Sequence, residues 1–352
     1  MMTESQEKIL AALLEKIRRE FPDAVDAVGI YGSVCTGDTH AKSDLDLLIL
    51  INDKKAYSLA RTFILDDEKI AYDIYCTSYQ MLESDAQCNH AHLGKLMDSR
   101  IVYARDASAS RRIEKLREHA RAILSSGMRL KKAGECTERL CRQYAHAMTA
   151  GPLGKQRSFA ASIIALALDS VMLFNGRYFK KGIKRTFEEL DGLKQPKDFC
   201  RNIVRIVSSK DEEELKQALT DFVREHIAFM DAARKASCGK DKKPPAKETI
   251  GGTYEEMFSN WKNKMGDAAE RNDVFSSFMN LAAFQQMFEE IYSGVDIPYS
   301  NIMEKFKPEN LWENAESFDD ALESFAQEYK KIGLPVTCYA DADDFAAAYL
   351  GR

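Results

Sequence analysis

Two segments decide the fold: GIYGS at residues 29–33 and SDLDLLILI at residues 43–51. Side chains alternate along a strand, so Asp44 and Asp46 face one side while the leucine after each of them faces the other. The continuous apolar run Leu48–Ile51 is typical of a central strand that is buried on both faces. The two acids therefore mark the exposed end of a buried strand.

Two neighbouring carboxylates in a partly dry cleft repel each other unless a cation neutralises them. Asp44 and Asp46 are therefore candidate ligands of Mg²⁺, with Mn²⁺ as the alternative, because both ions prefer carboxylate and phosphate oxygens. Asp73 is a third candidate, since a charge within a strand-like run needs a partner. Gly32 and Ser33 would seat a phosphate, because glycine permits close backbone approach and the serine hydroxyl donates.

The sequence around these residues alternates helix and strand signals. A capping box formed by Thr3 and Gln6 begins an amphipathic helix that ends near Phe21. Runs rich in β-branched and aromatic residues predict four strands, Val25–Tyr31, Leu45–Ile51, Ile70–Cys76 and Arg100–Tyr103. We therefore predict an α+β fold in which a mixed sheet with flanking helices forms a catalytic domain at residues 1–105.

Helical periodicity dominates the remainder of the chain. Apolar residues recur at helical spacing in Ile113–Leu124, Phe159–Phe174, Leu215–Met230 and Val274–Tyr292. A polar stretch punctuated by Pro and Gly, from Gly239 to Gly252, is either a linker or a long exposed loop. We predict a helical domain at residues 108–238 that closes the cleft, and a second helical segment at residues 250–352.

One helix of this region carries a stripe of small and polar residues that ends at Asp169. This stripe, which includes Ser158 and Ser162, interrupts an otherwise apolar helix and predicts one dry and one wet neighbour. Asp169 is therefore a candidate base facing the substrate. A buried hydrogen bond is the favoured interpretation, because buried carboxylates are usually hydrogen-bonded.

A basic run follows that helix: residues 177–185 hold five positive charges and no acid. Cations near a triphosphate hold its oxygens by charge-assisted hydrogen bonds. We favour Lys184 as a phosphate ligand over Lys180, Lys181 and Arg185, because Gly182 allows a turn toward the cleft while Ile183 would anchor the loop in the core. The alternative is a solvated turn.

The order Gly-Ser, a spacer, Asp-x-Asp on one strand and a lone Asp on the next resembles the DNA polymerase β nucleotidyltransferase superfamily. The resemblance covers about residues 25–105, and the basic run resembles a loop of antibiotic nucleotidyltransferases. The resemblance to the DNA polymerase β superfamily implies that Asp44 and Asp46 hold two metal ions. It also implies that Asp73 ligates one of them and helps deprotonate the acceptor, and that Gly32 and Ser33 hold the triphosphate.

The chain departs from that pattern at residues 35–37, where Cys-Thr-Gly stands in place of the Ala-Arg-Gly of many small members. The arginine is therefore missing. The alternative interpretation of the acids is that Asp44 and Asp46 cap a loop while Asp73 pairs with a nearby base, as in a catalytically inactive relative.

Composition limits the partners. The 352 residues carry a net charge of −5, which argues against an extended basic surface for long nucleic acid, and 45% hydrophobic content argues against disorder. No stretch reaches the roughly 20 apolar residues of a membrane span. The eight dispersed cysteines, none in a CxxC pair, favour a cytoplasmic location. His90-x-His92 lacks the companion ligands of a zinc site.

The resemblance implies transfer of an NMP, AMP in the first place, from an NTP to a hydroxyl of a small molecule, with release of pyrophosphate. An aminoglycoside or a lincosamide-like compound is the expected kind of acceptor. Two alternatives stay open: a nucleotidyltransferase that modifies a protein, as antitoxins modify toxins, and a nucleotide-binding relative without turnover. The long helical region argues against the first, and the presence of all three acids argues against the second.

Overall fold

The N-terminal elements begin as the sequence predicts. In the computed structural model, which describes residues 2–39, 43–237 and 242–351, helix α1 spans Glu4–Glu20 and begins with the Thr3–Gln6 capping box. The strands are β1 Val25–Ile30, β2 Leu47–Ile51, β3 Arg61–Leu65, β4 Ile70–Ile74, β5 Cys76–Ser78 and β6 Arg100–Ala104. Short helices lie between them: α2 Ser33–Thr36, the 3₁₀ helix Lys54–Leu59, α3 Tyr79–Ala86 and α4 Gly94–Met97.

The main sheet has the strand order β5-β2-β1-β6. Strand β1 pairs antiparallel with β2 and with β6, whereas β2 pairs parallel with β5, so the sheet is mixed. The predicted α+β fold class is therefore confirmed.

One strand prediction was wrong. The run Ile70–Cys76 is not a single strand, because the chain leaves one sheet at Tyr75 and enters another. Strand β4 pairs antiparallel with β3 in a separate two-stranded sheet, and only β5 joins the main sheet. Strand β3 was missed in the sequence, and its largely exposed side chains carry no alternating apolar pattern.

Strand β2 is fully buried, and its two faces pack into two different hydrophobic clusters. Leu48 and Leu50 join a cluster formed largely by helices of the chain beyond residue 78. Leu47, Ile49 and Ile51 join a second cluster that includes apolar residues of α1. Because both faces are apolar, a register slip of one residue would bury an aspartate in place of a leucine.

Long helices follow β6, as predicted. They are α5 Ala107–Ser125, α6 Met128–Thr149, α7 Leu153–Phe174, α8 Thr186–Leu190, α9 Phe199–Ser208 and α10 Glu212–Ser237. By length and composition alone α7 could cross a membrane, but it is the core helix of this bundle, and 44% of its most apolar window is buried. This is weak evidence for a membrane span, and a core helix passes the same test.

The chain divides into two compact units, Met1–Ser237 and Cys238–Arg352. The first unit contains both the sheet and the helices α5 to α10, so a boundary at residue 105 within it stays a prediction. The proposed linker lies partly outside the described residues, which resume at Lys242. Its later part contains helix α11 Lys247–Ile250, whose Ile250 is buried, so this part is not a plain loop.

The second unit is helical. Its longer helices are α13 Asn263–Glu270, α14 Val274–Gly294, α15 Leu311–Lys331 and α16 Ala342–Leu350, and α12 Thr253–Met257 precedes a π-helical turn at Phe258–Lys262. Its core is aromatic, with Phe284 edge-on to Phe318 at a ring separation of 5.0 Å. Tyr329 fastens α15 to the beginning of the unit by donating its hydroxyl to the Ile250 carbonyl at 2.6 Å.

A buried histidine makes the stability of the first unit sensitive to acid. His226 is fully buried, with its Nε2 atom 3.2 Å from the hydroxyls of Thr137 and Ser170, and burial lowers its pKa from 6.5 to about 4. Because the unfolded chain binds this proton more readily, His226 stabilises the fold above pH 6.5, and that stability is lost as the pH falls toward 4.

We expect His226→Gln to remove part of the pH dependence of unfolding. Between pH 6.5 and pH 5 the wild type should lose roughly 2 kcal/mol more unfolding free energy than His226→Gln, since a tenfold difference in proton affinity between the folded and unfolded chain corresponds to about 1.4 kcal/mol. Urea unfolding of both proteins at several pH values measures the difference. Parallel curves would mean that His226 binds its proton as readily in the folded protein as in the unfolded chain, so that burial does not lower its pKa.

Candidate active site

A cavity of about 650 Å³ lies at the end of β2. It is lined by Gly32, Ser33, Asp44, Asp46 and Lys184, which are five of the six site residues predicted from the sequence. The structure thus brings residues of the sheet and of the basic run to one cavity. Asp73 is the predicted site residue that does not line it.

Gly32 packs against the carboxylate of Asp46, which leaves no room for a side chain. The residue follows β1 with φ at 66°, a backbone conformation that glycine adopts without strain. A Cβ atom at this position would lie 2.6 Å from Cγ of Asp46, which is closer than real Cβ contacts come. The glycine is therefore required by the position of Asp46 as well as by the backbone.

The acidic pair has the predicted alternation. Leu45 and Leu47 are buried in the core, whereas Asp44 is exposed and Asp46 is half-buried at the cavity. Burial and the charge of Asp44 raise the pKa of Asp46, and the backbone N–H of Ser33, which donates to its carboxylate, opposes that rise. Asp46 thus carries a negative charge that its surroundings do not fully compensate.

The pKa of Tyr31 is raised by burial and by the same negative charges. Burial raises the pKa of its phenol to about 12, with further contributions from Asp46, Asp44, Asp85 and Asp73. Four carboxylates therefore act on one side chain of the cavity wall. The sequence indicated three of these acids but gave no signal for Asp85, which approaches from α3.

Asp73 lies near the pair without joining it. Its carboxylate is exposed and accepts a hydrogen bond from the Thr62 hydroxyl at 2.8 Å, across the two-stranded sheet. Asp73 belongs to β4, where it lies opposite Thr62 of β3, and only β5, which begins at Cys76, pairs with β2. A metal site that includes Asp73 stays a prediction.

Asp44 and Asp46 could bind a divalent cation whose remaining ligands come from water and from a substrate. Within residues 2–39, 43–237 and 242–351, no three His, Cys, Asp or Glu side chains converge closely enough to hold a metal ion. Asp44 and Asp46 are two carboxylates on one cavity with uncompensated charge. Mg²⁺ commonly uses one or two protein carboxylates and completes its shell with water and substrate phosphates, so the pair suits it.

The opposite wall is a loop, residues 87–93, that sequence reasoning did not connect to the site. Its backbone is held firmly: the Asp169 carboxylate accepts from the Ala91 N–H at 2.8 Å, and the Phe179 N–H donates to the Ala91 carbonyl at 2.8 Å. Arg139 of α6 donates to the Asn89 carbonyl at 3.1 Å. The loop is thus hydrogen-bonded to two helices, α6 and α7, and to the basic run itself.

This fixed loop directs two imidazoles to the cavity. His90 has partners at both ring nitrogens, because Nδ1 accepts from the His92 N–H at 3.2 Å and Nε2 lies 3.3 Å from Asp85. His92 stacks on Phe179 with a ring separation of 5.2 Å and lies 3.9 Å from Asp169. His90 and His92, whose spacing alone did not indicate a zinc site, thus both line the cavity.

Asp169 takes the buried role that was the favoured interpretation. It is buried, burial raises its pKa, and it does not line the cavity. The rest of its stripe faces solvent, since Ser158 and Ser162 are exposed and donate to carbonyls of their own helix. The serines of the stripe therefore face solvent and do not pack against a second, polar neighbour.

The basic run reaches the cavity at several residues, and these differ in their partners. Arg185 is held by Glu188 at 2.8 Å and by Asp38 at 3.2 Å. In the part of the chain that the structure describes, Lys184 makes no ion pair and projects to the cavity. The predicted anchoring by Ile183 was wrong, because this side chain is 91% exposed and lines the cavity mouth.

Residues 10–103 match the nucleotidyltransferase domain family. This part of the chain is a nucleotidyltransferase domain. The match spans α1, the Gly32–Ser33 turn, the acidic pair and β6, so it covers the sheet side of the cavity. The general function of the domain is nucleotidyl transfer, and the protein is a transferase.

Among the solved structures that match the chain is one that covers most of its length. It is a nucleotidyltransferase-like protein from Exiguobacterium sibiricum, with 12% sequence identity, a TM-score of 0.38, and coverage of 80% of this chain and 91% of that chain. No curated protein is significantly similar to the chain in sequence. The assignment of the nucleotidyltransferase domain therefore rests on the family match.

Gly32→Ala should displace the Asp46 carboxylate, because the new methyl group would occupy its place and the backbone φ of 66° would be strained. We expect a loss of about 1–3 kcal/mol in unfolding free energy. Gly182→Ala is the matched control, since this cavity glycine has open space around it. Denaturant unfolding compares the two, and an equal stability of both variants would contradict the packing of Gly32 on Asp46.

Proposed function

We propose that the protein transfers an NMP, in the first place AMP, from an NTP to a hydroxyl of a small molecule, with release of pyrophosphate. The observation that supports this proposal best is that one cavity is lined by the Gly-Ser turn and the acidic pair of the nucleotidyltransferase domain together with Lys184, which makes no ion pair among the described residues. A volume of about 650 Å³ is within the range of small-molecule sites.

The acidic pair would hold Mg²⁺, with Mn²⁺ as the alternative, and in the full proposal Asp73 completes a site for two ions. The ions when bound would neutralise the charge of the phosphates and lower the barrier to in-line displacement at the α-phosphorus. The chain's own contribution is to fix the carboxylates at the end of a rigid strand. Gly32 lets the backbone approach the triphosphate, and the Ser33 hydroxyl donates to its oxygens.

Lys184 would hold the triphosphate from the helical side. Among the described residues its side chain makes no ion pair; Lys180 also lines the cavity without one, but its ammonium lies 5.4 Å from the Tyr178 ring centroid. Arg185 is already engaged by Asp38 and Glu188. A free ammonium near phosphate oxygens forms charge-assisted hydrogen bonds, which are stronger than neutral ones.

The wall formed by residues 87–93 is the proposed place of the acceptor. Asp85, His90 and His92 supply polar groups there, and Phe179 and Ile183 supply apolar surface. Such a mixed wall suits a polyhydroxy compound with apolar parts, such as an aminoglycoside or a lincosamide-like molecule. We also propose a cytoplasmic location, where NTP is available.

The two alternatives make different demands on the protein. A nucleotidyltransferase that modifies a protein would label a polypeptide rather than a small molecule. A nucleotide-binding relative without turnover would bind an NTP and release no pyrophosphate. A screen with α-labelled NTPs against small molecules and proteins, with Asp46→Asn as the blank, separates all three.

Asp46→Asn should abolish metal-dependent pyrophosphate release and leave the fold intact. The amide keeps an acceptor for the Ser33 N–H and relieves the repulsion from Asp44, but it removes an anionic ligand. Thermal unfolding without Mg²⁺ should therefore show no loss of stability. Asp66→Asn is the control, because this acid is 95% exposed on another turn. Unchanged turnover in Asp46→Asn would exclude the proposed cation site.

Lys184→Ala should weaken binding of an unreactive NTP analogue with Mg²⁺ by about tenfold, and the remaining affinity should depend less on salt. Lys181→Ala is the matched control from the same run, since Lys181 already lies 3.8 Å from Glu188 and should lose less. Calorimetry at two salt concentrations measures both. Wild-type affinity in Lys184→Ala would mean that the basic run is a solvated turn and that the nucleotidyltransferase domain binds the nucleotide alone.

A further inference from the structure

Gln6 makes more contacts than a capping residue needs. Its backbone N–H donates to the Thr3 hydroxyl at 3.2 Å, and its Oε1 accepts from the Thr3 N–H at 3.0 Å, which completes the capping box of α1. The two reciprocal hydrogen bonds of a capping box do not by themselves require this side chain to be buried. The Gln6 side chain is nevertheless only 2% exposed.

The buried amide nitrogen of Gln6 reaches the acidic pair. Nε2 donates to the carbonyl of Ser43 at 3.0 Å and to the carbonyl of Asp44 at 3.0 Å. These two carbonyls belong to the peptide units on either side of Asp44, and only Leu45 separates them from Asp46. Both hydrogens of the amide group are thus used on consecutive peptide units of the segment that carries the carboxylates.

We propose that Gln6 is a positioning residue for the acidic pair. The inference rests on the proposed function, because it assigns Gln6 to the cation site formed by Asp44 and Asp46. Strand β2 begins only at Leu47, so the sheet does not fix the backbone of Asp44 by ladder hydrogen bonds. The two bonds from Gln6 supply that restraint from α1.

The restraint opposes the electrostatics of the pair. Asp44 and Asp46 line one cavity, and two like charges move apart when their backbone is free. A cation site needs the two carboxylates held at one distance before the cation arrives. Gln6 keeps the Asp44 peptide in place and adds no charge of its own.

The test measures cation binding, so it needs no acceptor. Full-length wild type and Gln6→Met are titrated with Mn²⁺ in the presence of α,β-methylene-ATP, and free Mn²⁺ is followed by electron paramagnetic resonance. A blank with the same nucleotide and no protein gives the Mn²⁺ that the nucleotide alone holds, which is subtracted. Methionine is similar to glutamine in length and removes the amide. We expect Gln6→Met to bind Mn²⁺ at least about tenfold more weakly than wild type.

Thr3→Ala is the matched control. It removes the hydroxyl that caps the Gln6 N–H but leaves both bonds from Nε2 in place. Both variants should lower the melting temperature of the protein, whereas only Gln6→Met should weaken Mn²⁺ binding. If both variants weaken it equally, Gln6 acts only through the stability of α1, and the positioning role is overturned.

The remaining outcomes separate this inference from the proposed function. No Mn²⁺ binding by wild type would overturn the cation site itself. Wild-type affinity in Gln6→Met, with normal binding by wild type, would overturn only the role of Gln6. If Gln6→Met does not fold, Gln6→Asn replaces it, since the shorter amide cannot keep both carbonyl contacts. Its affinity decides the question by the same comparison.

Discussion

Burial of β2 on both faces is the constraint on which the site depends. Its leucines and isoleucines pack alternately into two hydrophobic clusters, one shared with helices of the later chain and the other with α1. Shifting this strand by one residue would place aspartate where leucine packs, at a cost of several kcal/mol for an unpaired buried charge. The fixed register therefore determines that Asp44 and Asp46 stand at the strand's end, beside Gly32.

Like charges at that end are tolerated because the neighbouring backbone is arranged around them. Gly32 leaves room for the Asp46 carboxylate, the Ser33 N–H donates to it, and Gln6 holds the Asp44 carbonyl. None of these contacts brings a positive charge. The negative field that remains extends to Tyr31, and it is what makes this end of the sheet receptive to a cation.

Local patterns in the sequence predicted the parts of the structure that depend on neighbouring residues. The capping box at Thr3, the alternation around Asp44 and the long helices follow from spacing alone, and each is present. The break of the strand at Tyr75 could not be predicted this way. The run Ile70–Cys76 carries strand-forming residues without a turn signal at this position, and only the tertiary pairing decides which sheet each part joins.

The far wall of the cavity was missed for a similar reason. Asp85 lies on α3 and His90 on the loop after it, far from the acidic pair in sequence, and residues of α6 and α7 hold that loop, so no local spacing encodes the approach. Ile183 was assigned to the core because isoleucine is most often buried, yet it stands exposed at the cavity mouth.

The two walls of the cavity come from separate stretches of chain and use separate hydrogen bonds. One is fixed by the sheet and α1, whereas the other is held by α6, α7 and the segment around Phe179. Substitutions that reshape the second wall leave the bonds around the acidic pair intact. Over generations, such a chain can change which molecules fit beside the carboxylates while the carboxylates themselves stay where the strand puts them.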